Sequence, residues 1–510
     1  MGVEAGAPGS RSRKRKATAR EAAAPAPAPT PAEAPAAEPT SEDRGQQIPG
    51  SDADGGGAGV DRISDLPDEV LGEIVSLLPT KEGGRTQVLA SRWRRLWRTA
   101  PLNLDHRSFL RDEEGLDAAI SRVLAAHQGP GRRFSAPVYH LAGDRADAWL
   151  RSPALNNLQE LELCSFNHKL PRPPATVQMP PSAAFRFSDT LCVAIIGDCH
   201  LPDDIIQALH FPKLQKLALQ SVSISESSLH TMIAACPALE CLLIKNSGGF
   251  RCVRINSITL RSIGVSGYSN RLETKFKELI IENAPCLESL LTLGSCEYRL
   301  ISVISAPKLE VMGCLSTHYG IRISFDSAPF DSTVIQRMGV DRLTAAVRTV
   351  KILAILMHSL SLDVVLDLMR CFPCLEKLYI ESSGPGISNL WRGKHRALIR
   401  SLDIRLKTIV WNYYRGIKSH VDLATFFVLN ARVLELMTLE VNVEDFNEDF
   451  FAQHHKKLQV DSRASRGARI RFTTDWCYNY HMKFSVHDLG RADPFERTHP
   501  LQGDTIFELC

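Results

Sequence analysis

The sequence lacks an apolar run long enough to cross a membrane. Its longest apolar runs, such as Ile352 to Met357, are about six residues long, whereas a spanning helix needs about 20. The first residues, MGVEAGAP, have no apolar secretion signal. The sequence has no Asn-x-Ser/Thr site, and its 13 cysteines are an odd number. These absences predict a soluble intracellular protein in the nucleus, the cytoplasm or both.

Net charge is also small. Lys and Arg number 60 against 57 Asp and Glu, a balance of +3, which disfavours a protein that binds mainly through electrostatics. Residues 1–60 are rich in Ala, Pro and Gly, and we expect them to form a disordered tail. The tail carries a basic cluster that is a candidate nuclear-import signal: Arg11, Arg13, Lys14, Arg15 and Lys16. Two alternatives remain open: the cluster is merely solvated, or it contacts phosphates, in which case its binding would depend on salt.

The usual catalytic motifs are missing. The sequence has no GxxxxGK[ST], HExxH or GxSxG pattern, and no GxGxxG that opens a helix after a strand. Cys371 and Cys374 form a CxxC without a second pair, so we interpret them as small core residues of a repeat. We predict no catalytic residue, no metal, no cofactor and no enzymatic activity.

Two amphipathic stretches follow the tail. DLPDEVLGEIVSLLP predicts one helix that begins near Pro67 and ends at Pro79, because proline is tolerated in a first helical turn and acidic residues complement the helix dipole there. RTQVLASRWRRLW predicts a second helix with Val88, Leu89, Trp93, Leu96 and Trp97 on one face. Such a small module must lean on the next domain or bury this face in a partner.

The stretch 61–105 resembles the F-box of plant-type F-box/leucine-rich-repeat families, carried by Leu66-Pro67, Leu77-Leu78-Pro79 and the two tryptophans. The resemblance implies that the module docks a Skp-type adaptor and, through it, a cullin scaffold. The adaptor-binding candidates are Leu66, Pro67, Ile74, Leu77, Leu78, Val88, Leu89, Trp93 and Trp97. Gly83-Gly84 departs from the family pattern and would weaken a helix there by about 1 kcal/mol per glycine.

A phrase of Pro-x-Leu-x-x-Leu-x-Leu recurs downstream. The clear copies have their prolines at 212, 237, 285, 307 and 373, and looser copies surround Leu158, Leu260 and Val347. Spacings that divide into units of about 22 to 25 residues are typical of leucine-rich repeats, which stack short parallel strands into a solenoid. We expect helices or irregular coil on the other side, and recognition by residues exposed between the leucines, such as Gln215, Lys216 and Ala218.

The region from Leu406 is similar to the FBD-type domain that follows the repeats in many such proteins, carried by Leu406-Lys407-Thr408, Tyr414-Arg415-Gly416 and Leu429-Asn430-Ala431. Later residues, among them His487-Asp488-Leu489, resemble the tail of such proteins. The pattern predicts a strand, a helix of about a dozen residues from Val421 and another strand. We expect this unit to cap the solenoid.

Taken together, the sequence predicts an α/β protein in which a small helical F-box module precedes a leucine-rich-repeat solenoid. The expected divisions are 1–60 tail, 61–105 F-box, 106–395 solenoid, 396–440 FBD-like cap and 441–510 extension. The resemblance implies the substrate-recognition subunit of an SCF-type (Skp, cullin, F-box) ubiquitin ligase, which binds an unknown target protein. The alternative is a repeat scaffold that acts without ubiquitin; a membrane partner is excluded and nucleic acid is disfavoured.

Overall fold

The computed structural model describes residues 63, 65–109, 115–137, 144–164, 179–267, 274–293, 299–316, 321–328, 331–336, 339–342, 346–357, 360–382, 403–474, 484–496 and 506–509. The tail and its import candidates lie outside the described residues. Within those ranges, no helix is long and apolar enough to cross a membrane. Nor do three or more His, Cys, Asp or Glu side chains in them form a group able to hold a metal ion.

Three short helices open the described chain: α1 Asp68–Ser76, α2 Thr80–Arg85 and α3 Ser91–Thr99. Pro67 lies just before α1 and not in its first turn as expected, and α1 ends at Ser76, before Pro79. The expected single helix from Arg85 to Trp97 is wrong, since a 3-10 turn at Thr86–Val88 and an extended Ala90 (φ −162°, ψ 168°) precede α3. Val88 and Leu89 therefore do not share a helical face with Trp97.

The strands are short and numerous. In chain order they are β1 Leu102–Asp105, β2 Gly131–Ala136, β3 Glu160–Leu163, β4 Val193–Gly197, β5 His200–Leu201, β6 Lys216–Gln220, β7 Ser223–Ile224, β8 Cys241–Lys245, β9 Cys252–Asn256, β10 Ser262–Ser266, β11 Glu278–Asn283, β12 Ser289–Leu293, β13 Arg299–Val303, β14 Val311–Ser316, β15 Ile321–Ala328, β16 Asp331–Gln336, β17 Gly339–Arg342, β18 Ile352–Met357, β19 Lys377–Ser382, β20 Thr408–Asn412, β21 Leu436–Glu440, β22 Arg469–Thr473 and β23 Ile506–Leu509.

The main sheet follows the chain in the order β1-β2-β3-β4-β6-β8-β10-β12-β14-β18-β19-β20-β21-β22-β23. Its neighbours pair in parallel, except that β23 is antiparallel to β22. All eight repeat phrases found in the sequence contribute a strand to this sheet. The prediction of a leucine-rich-repeat solenoid is confirmed.

Alternate residues of each strand point into the solenoid. Leu217 and Leu219 of β6, for example, belong to one continuous buried core with Leu242 and Ile244 of β8. A lone repeat would leave these side chains in water, so each coil depends on its neighbours for burial. We call the opposite side of the main sheet the front face.

The back of the solenoid differs from the prediction in its middle part. There, β9, β11, β13 and β15 form a second parallel sheet, extended by the antiparallel β16 and β17. Buried residues alternate along these strands, as Val253 and Ile255 do in β9. Aliphatic side chains at every second position fit a strand packed on one side better than a helix.

Several other connections between strands of the main sheet contain helices, and a further helix follows the sheet's β22. These helices are α4 Leu116–Ala126, α5 Asp144–Leu150, α6 Asp203–Gln207, α7 Glu226–Ala234, α8 Leu362–Cys371, α9 Lys418–Asn430, α10 Glu448–Lys457 and α11 Val486–Leu489. The strand, helix and strand expected from Leu406 onward are β20, α9 and β21. Because β22 and β23 continue the sheet, the C-terminal extension, not the FBD-like unit, forms its last edge.

Candidate functional site

Exposed apolar side chains concentrate in the three-helix module. Of the 12 large hydrophobic residues exposed in the described chain, seven lie there, and we call them the apolar patch: Ile63, Val70, Ile74, Leu77, Leu78, Val88 and Leu89. Leu77 and Val88 are the most open, at 78% and 84% exposed. Clustered apolar exposure of this kind marks an interaction surface.

Helix α1 is apolar on two sides. Leu71 and Val75 are buried at 0% and 1% exposure, while Val70 and Ile74 are each 43% exposed. Residues four apart lie on the same side of a helix, so each pair forms its own stripe. The apolar residues of α1 are therefore divided between the fold and solvent.

The remaining adaptor candidates occupy different environments. Pro67 is exposed, and Leu66 and Trp93 are half-buried. Trp97 packs against the solenoid core, and its ring meets His127 edge-on at 5.8 Å between centroids. Six of the nine candidates are thus open to a partner, and Trp97 holds the module on the protein. The sequence-based set left out Val70 and Ile63, although Val70 follows the same α1 periodicity as Ile74.

Gly83 lets α2 approach Trp97 closely. A Cβ on Gly83 would lie 2.8 Å from Cζ3 of Trp97, whereas one on Gly84 would come no closer than 3.9 Å to that ring. The glycine pair that departs from the family pattern is thus helical, and its first member fits a packing contact.

We expect Gly83→Ala and Gly84→Ala to have opposite effects on stability. The first forces the Trp97 ring to move, at a cost of about 1–3 kcal/mol. The second removes a helical glycine without a clash, for a gain of up to about 1 kcal/mol. Thermal unfolding followed by tryptophan fluorescence measures both, and equal shifts of the same sign would contradict the packing role of Gly83.

Arg92 fixes the chain that leads into α1. Its Nε donates to Oδ1 of Asp68 at 2.7 Å, and its Nη2 donates to the carbonyl of Leu66 at 2.5 Å. These bonds tie α3 to the start of α1. Arg92 of α3 thus positions the Leu66-Pro67 pair.

The module is joined rigidly to the first coil. The Thr80 hydroxyl donates to the carbonyl of Asn103 at 2.8 Å and accepts from the amide of Asp105 at 2.9 Å. Arg132 on β2 donates to both carboxylate oxygens of Glu73 at 2.8 and 2.9 Å. Because Asn103 and Asp105 belong to β1, the module leads directly into the main sheet. Of the two arrangements expected, the structure shows the module leaning on the next domain.

The front face carries an unexpectedly apolar row. The strand register aligns Ile195, Ala218, Leu243, Gly264 and Leu291 side by side. Farther along, Ala354 and Tyr379 are paired in the same way. A sheet face in water would be expected to carry polar side chains.

Residues 484–496, which we call the C-terminal segment, lie over this row. Phe484, Val486, Leu489 and Phe495 share a buried cluster with the front-face side chains. Val486 and Leu489 are fully buried, at 0% exposure. Ala218, expected to be open for recognition, is also at 0% because the segment covers it, whereas Gln215 is exposed and Lys216 half-buried.

Polar contacts fix the far end of the C-terminal segment. Asp493 Oδ2 lies 2.7 Å from Lys377 Nζ and accepts from the Tyr379 hydroxyl at 2.9 Å. The ring of Phe495 lies 5.3 Å from that of Tyr379. The side chains of Lys377 and Asp493 are only 20% and 10% exposed, so solvent screens this ion pair less than one on an open surface.

Glu381 makes the front face sensitive to pH. Glu381 lines a small cavity together with Tyr379, Asn412 and Phe495, and burial raises the pKa of its carboxyl to about 7. A carboxyl whose folded pKa is raised contributes stability at low pH and loses it as the pH rises through the folded value.

We therefore expect Glu381→Gln to raise the free energy of unfolding at pH 8 by up to about 3 kcal/mol relative to wild type, and much less at pH 5. Denaturant titrations at the two pH values measure the difference. Glu444→Gln, at an exposed carboxyl, serves as the control. An equal effect of Glu381→Gln at both pH values would contradict this role.

Family comparisons match three successive parts of the chain. Residues 63–105 match the F-box domain, residues 146–380 match the leucine-rich repeats described as "FBD-associated F-box protein At5g56370, LRR repeats", and residues 395–439 match FBD. Their order agrees with the helical module, the solenoid and the β20-α9-β21 unit.

The chain is similar to proteins of Arabidopsis thaliana, and it spans less than two thirds of the length of two of them. The chain is 32% identical over 284 residues to a putative F-box/LRR-repeat protein, At3g58880, a match covering 49% of this chain and 60% of that protein. It is 30% identical to a putative F-box protein, At3g58860, over 42% of this chain and 48% of that protein. A putative F-box/FBD/LRR-repeat protein, At5g44950, is 22% identical over 81% of this chain and 99% of its own length.

The helical module with its apolar patch and the parallel solenoid define an F-box protein of the leucine-rich-repeat class. The chain has the F-box, leucine-rich-repeat and FBD domains of the plant F-box/FBD/LRR-repeat proteins.

Proposed function

We propose that this chain is the substrate-recognition subunit of an SCF-type ubiquitin ligase. The F-box docks a Skp-type adaptor and, through it, a cullin scaffold, and the solenoid binds a target protein. The chain itself makes and breaks no bonds. It acts by proximity, because holding a target near a ubiquitin-charged enzyme raises the effective concentration of the target's lysines there.

The apolar patch is the observation that carries this proposal. Its members are exposed, whereas Leu71 and Val75 of α1 and Leu96 of α3 are buried and Trp97 packs against the core, so the patch is not needed to hold the module on the solenoid. Buried aliphatic anchors supply much of the binding energy of protein interfaces. We assign docking to the exposed candidates and Val70, and a supporting role to Trp97.

The rigid junction supports the same function. Hydrogen bonds from Thr80 and the Arg132–Glu73 pair hold the docking surface at a fixed position relative to the first coils. A receptor that must present a target to a distant enzyme benefits from such a connection, since orientation contributes to the effective concentration.

Co-expression of the full chain with a Skp-type adaptor tests the proposal. We expect one stoichiometric complex in size-exclusion chromatography, and loss of co-elution in the Leu66→Ala/Pro67→Ala variant. Two separate peaks from folded proteins would instead favour a repeat scaffold that acts without ubiquitin.

We place the protein in the nucleus, the cytoplasm or both. Replacing Arg11, Arg13, Lys14, Arg15 and Lys16 with alanine in a fluorescent fusion of the full chain tests whether the cluster directs import. Reduced nuclear signal is the expected result, and an unchanged distribution would remove the import role.

A further inference from the structure

The C-terminal segment is bound to the front face in the manner of a peptide ligand. Its backbone hydrogen bonds join its own residues, from Asp488 to Ser485, Arg491 to Asp488 and Glu496 to Asp493. A capping box between Ser485 and Asp488 stabilises the short helix α11. The segment therefore adds no strand to the sheet and contacts it through side chains.

The front face is shaped for those side chains. Small residues at Ala218, Gly264 and Ala354 interrupt the larger side chains of the row. A Cβ at Gly264 would lie 3.1 Å from Cδ2 of Leu489, so this glycine leaves the space that Leu489 fills. The sheet thus has a hollow for one aliphatic side chain.

A cation complements the apolar hollow. Lys377 and the Tyr379 hydroxyl both contact one carboxylate oxygen of Asp493, and Phe495 packs on the Tyr379 ring. The front face therefore holds two features together: aliphatic side chains three residues apart, Val486 and Leu489, and an Asp-x-Phe sequence shortly after them.

We propose that the C-terminal segment is an intramolecular competitor at the target-binding face, and that the target presents a peptide with the same aliphatic pair and Asp-x-Phe sequence. This inference rests on the proposed function, because it assigns the solenoid's target site. A tethered occupant has a high effective concentration. A target must therefore displace it, which lowers the target's apparent affinity by the fraction of time that the face is open.

A fluorescein-labelled peptide of residues 484–496 serves as the probe, with fluorescence anisotropy as the readout. Leu489→Asp in the full chain places a charge in the hollow and should release the tethered segment. If the face is closed 99% of the time, this variant binds the peptide about 100-fold more tightly than the wild-type chain does. A peptide with Leu489→Asp should bind neither chain.

Exchanging the charges of Lys377 and Asp493 tests whether their contact makes binding specific. Adding Lys377→Glu to the opened variant should weaken the peptide at least about tenfold, since a like charge then faces Asp493. A peptide with Asp493→Lys should recover the loss. If neither Lys377→Glu in the chain nor Asp493→Lys in the peptide alters the affinity, the assigned ligand chemistry is overturned.

A disulfide can lock the segment in place. Gly490 has φ −79°, and a Cβ there would lie 3.7 Å from Sγ of Cys241, so a cysteine at position 490 could reach that sulfur after a small shift of the segment. The oxidised Gly490→Cys variant should not bind the peptide, and reduction should restore wild-type binding. The matched control is Gly490→Ser, which should not respond to reductant.

Wild-type thiol labelling decides the case even if the variants fail to fold. Cys241 lies beneath the segment in the front-face cluster, whereas Cys371 lies in the solenoid core; both are buried. If the segment lifts by itself, Cys241 reacts at least about tenfold faster than Cys371, since local opening requires less free energy than global unfolding. Equal rates would show that the C-terminal segment is an integral part of the fold, which would overturn the proposal.

Adaptor co-elution separates the two proposals. Leu489→Asp lies outside the F-box and should leave co-elution unchanged, whereas peptide binding needs no adaptor. If the peptide experiment fails while co-elution is intact, only the proposal of an intramolecular competitor is overturned. If co-elution fails while the peptide binds as expected, only the ligase role is overturned.

Discussion

Leu77→Asp together with Val88→Asp should abolish co-elution with a Skp-type adaptor while the protein stays folded. At 78% and 84% exposure, these side chains contribute little to the fold, so aspartate is tolerated in the free protein. In a complex, each would bury an unpaired carboxylate in place of an aliphatic anchor. At about 2 kcal/mol or more per hot-spot residue, the double change lowers affinity about 1,000-fold.

The control is Ile258→Asp, which changes an equally open residue, 71% exposed, between β9 and β10. It should co-elute as wild type does. Isothermal titration with the purified adaptor gives the affinities, and circular dichroism checks the fold. Full binding by the folded double variant would remove the apolar patch as the docking surface.

The structure makes this pair more informative than the Leu66→Ala/Pro67→Ala pair. Leu66 is half-buried and its carbonyl accepts from Arg92, so changes there can disturb the entry into α1. Replacing Leu96 or Trp97 would be less specific still, because both belong to the packed side of the module.

The strands of the main sheet were predictable because their information is local. Each copy of the repeat phrase, clear or looser, carries its own inward aliphatic side chains, and all eight copies became strands. The second sheet was missed because its strands, such as Val253 to Ile255, carry no proline or leucine phrase. Their period-two pattern is short and emerges only when neighbouring coils align Val253 with Leu279 and Leu279 with Ile301.

The occupied front face was beyond sequence reasoning for another reason. Ala218 looks like any exposed repeat position, and Leu489 lies roughly 270 residues later in the chain. Only the folded register brings Gly264 under Leu489 and Tyr379 under Asp493. Similarly, a helical pattern at α1 cannot tell which of its two apolar stripes is buried until the solenoid supplies the second surface.

Trp411→Ala should unfold the FBD-like end of the solenoid but leave the F-box working. Trp411 is 0% exposed, its Nε1 donates to the Ser382 hydroxyl at 3.1 Å, and its ring packs on Tyr414 and His420 at 5.3 and 5.1 Å. Removing so large a buried ring costs about 3–5 kcal/mol. Trp411→Phe keeps an aromatic ring and should cost less.

In a stacked array, a loss in one coil reaches its neighbours first. We therefore expect hydrogen exchange to rise in β19 to β22 of Trp411→Ala, while β1 to β4 and adaptor co-elution are preserved. Because Lys377 and Tyr379 lie on β19, the loosening should also release Asp493 and speed the labelling of Cys241. Uniform exchange throughout the chain would instead indicate one cooperative unit, in which the FBD-like coil stabilises the F-box as much as its own neighbours.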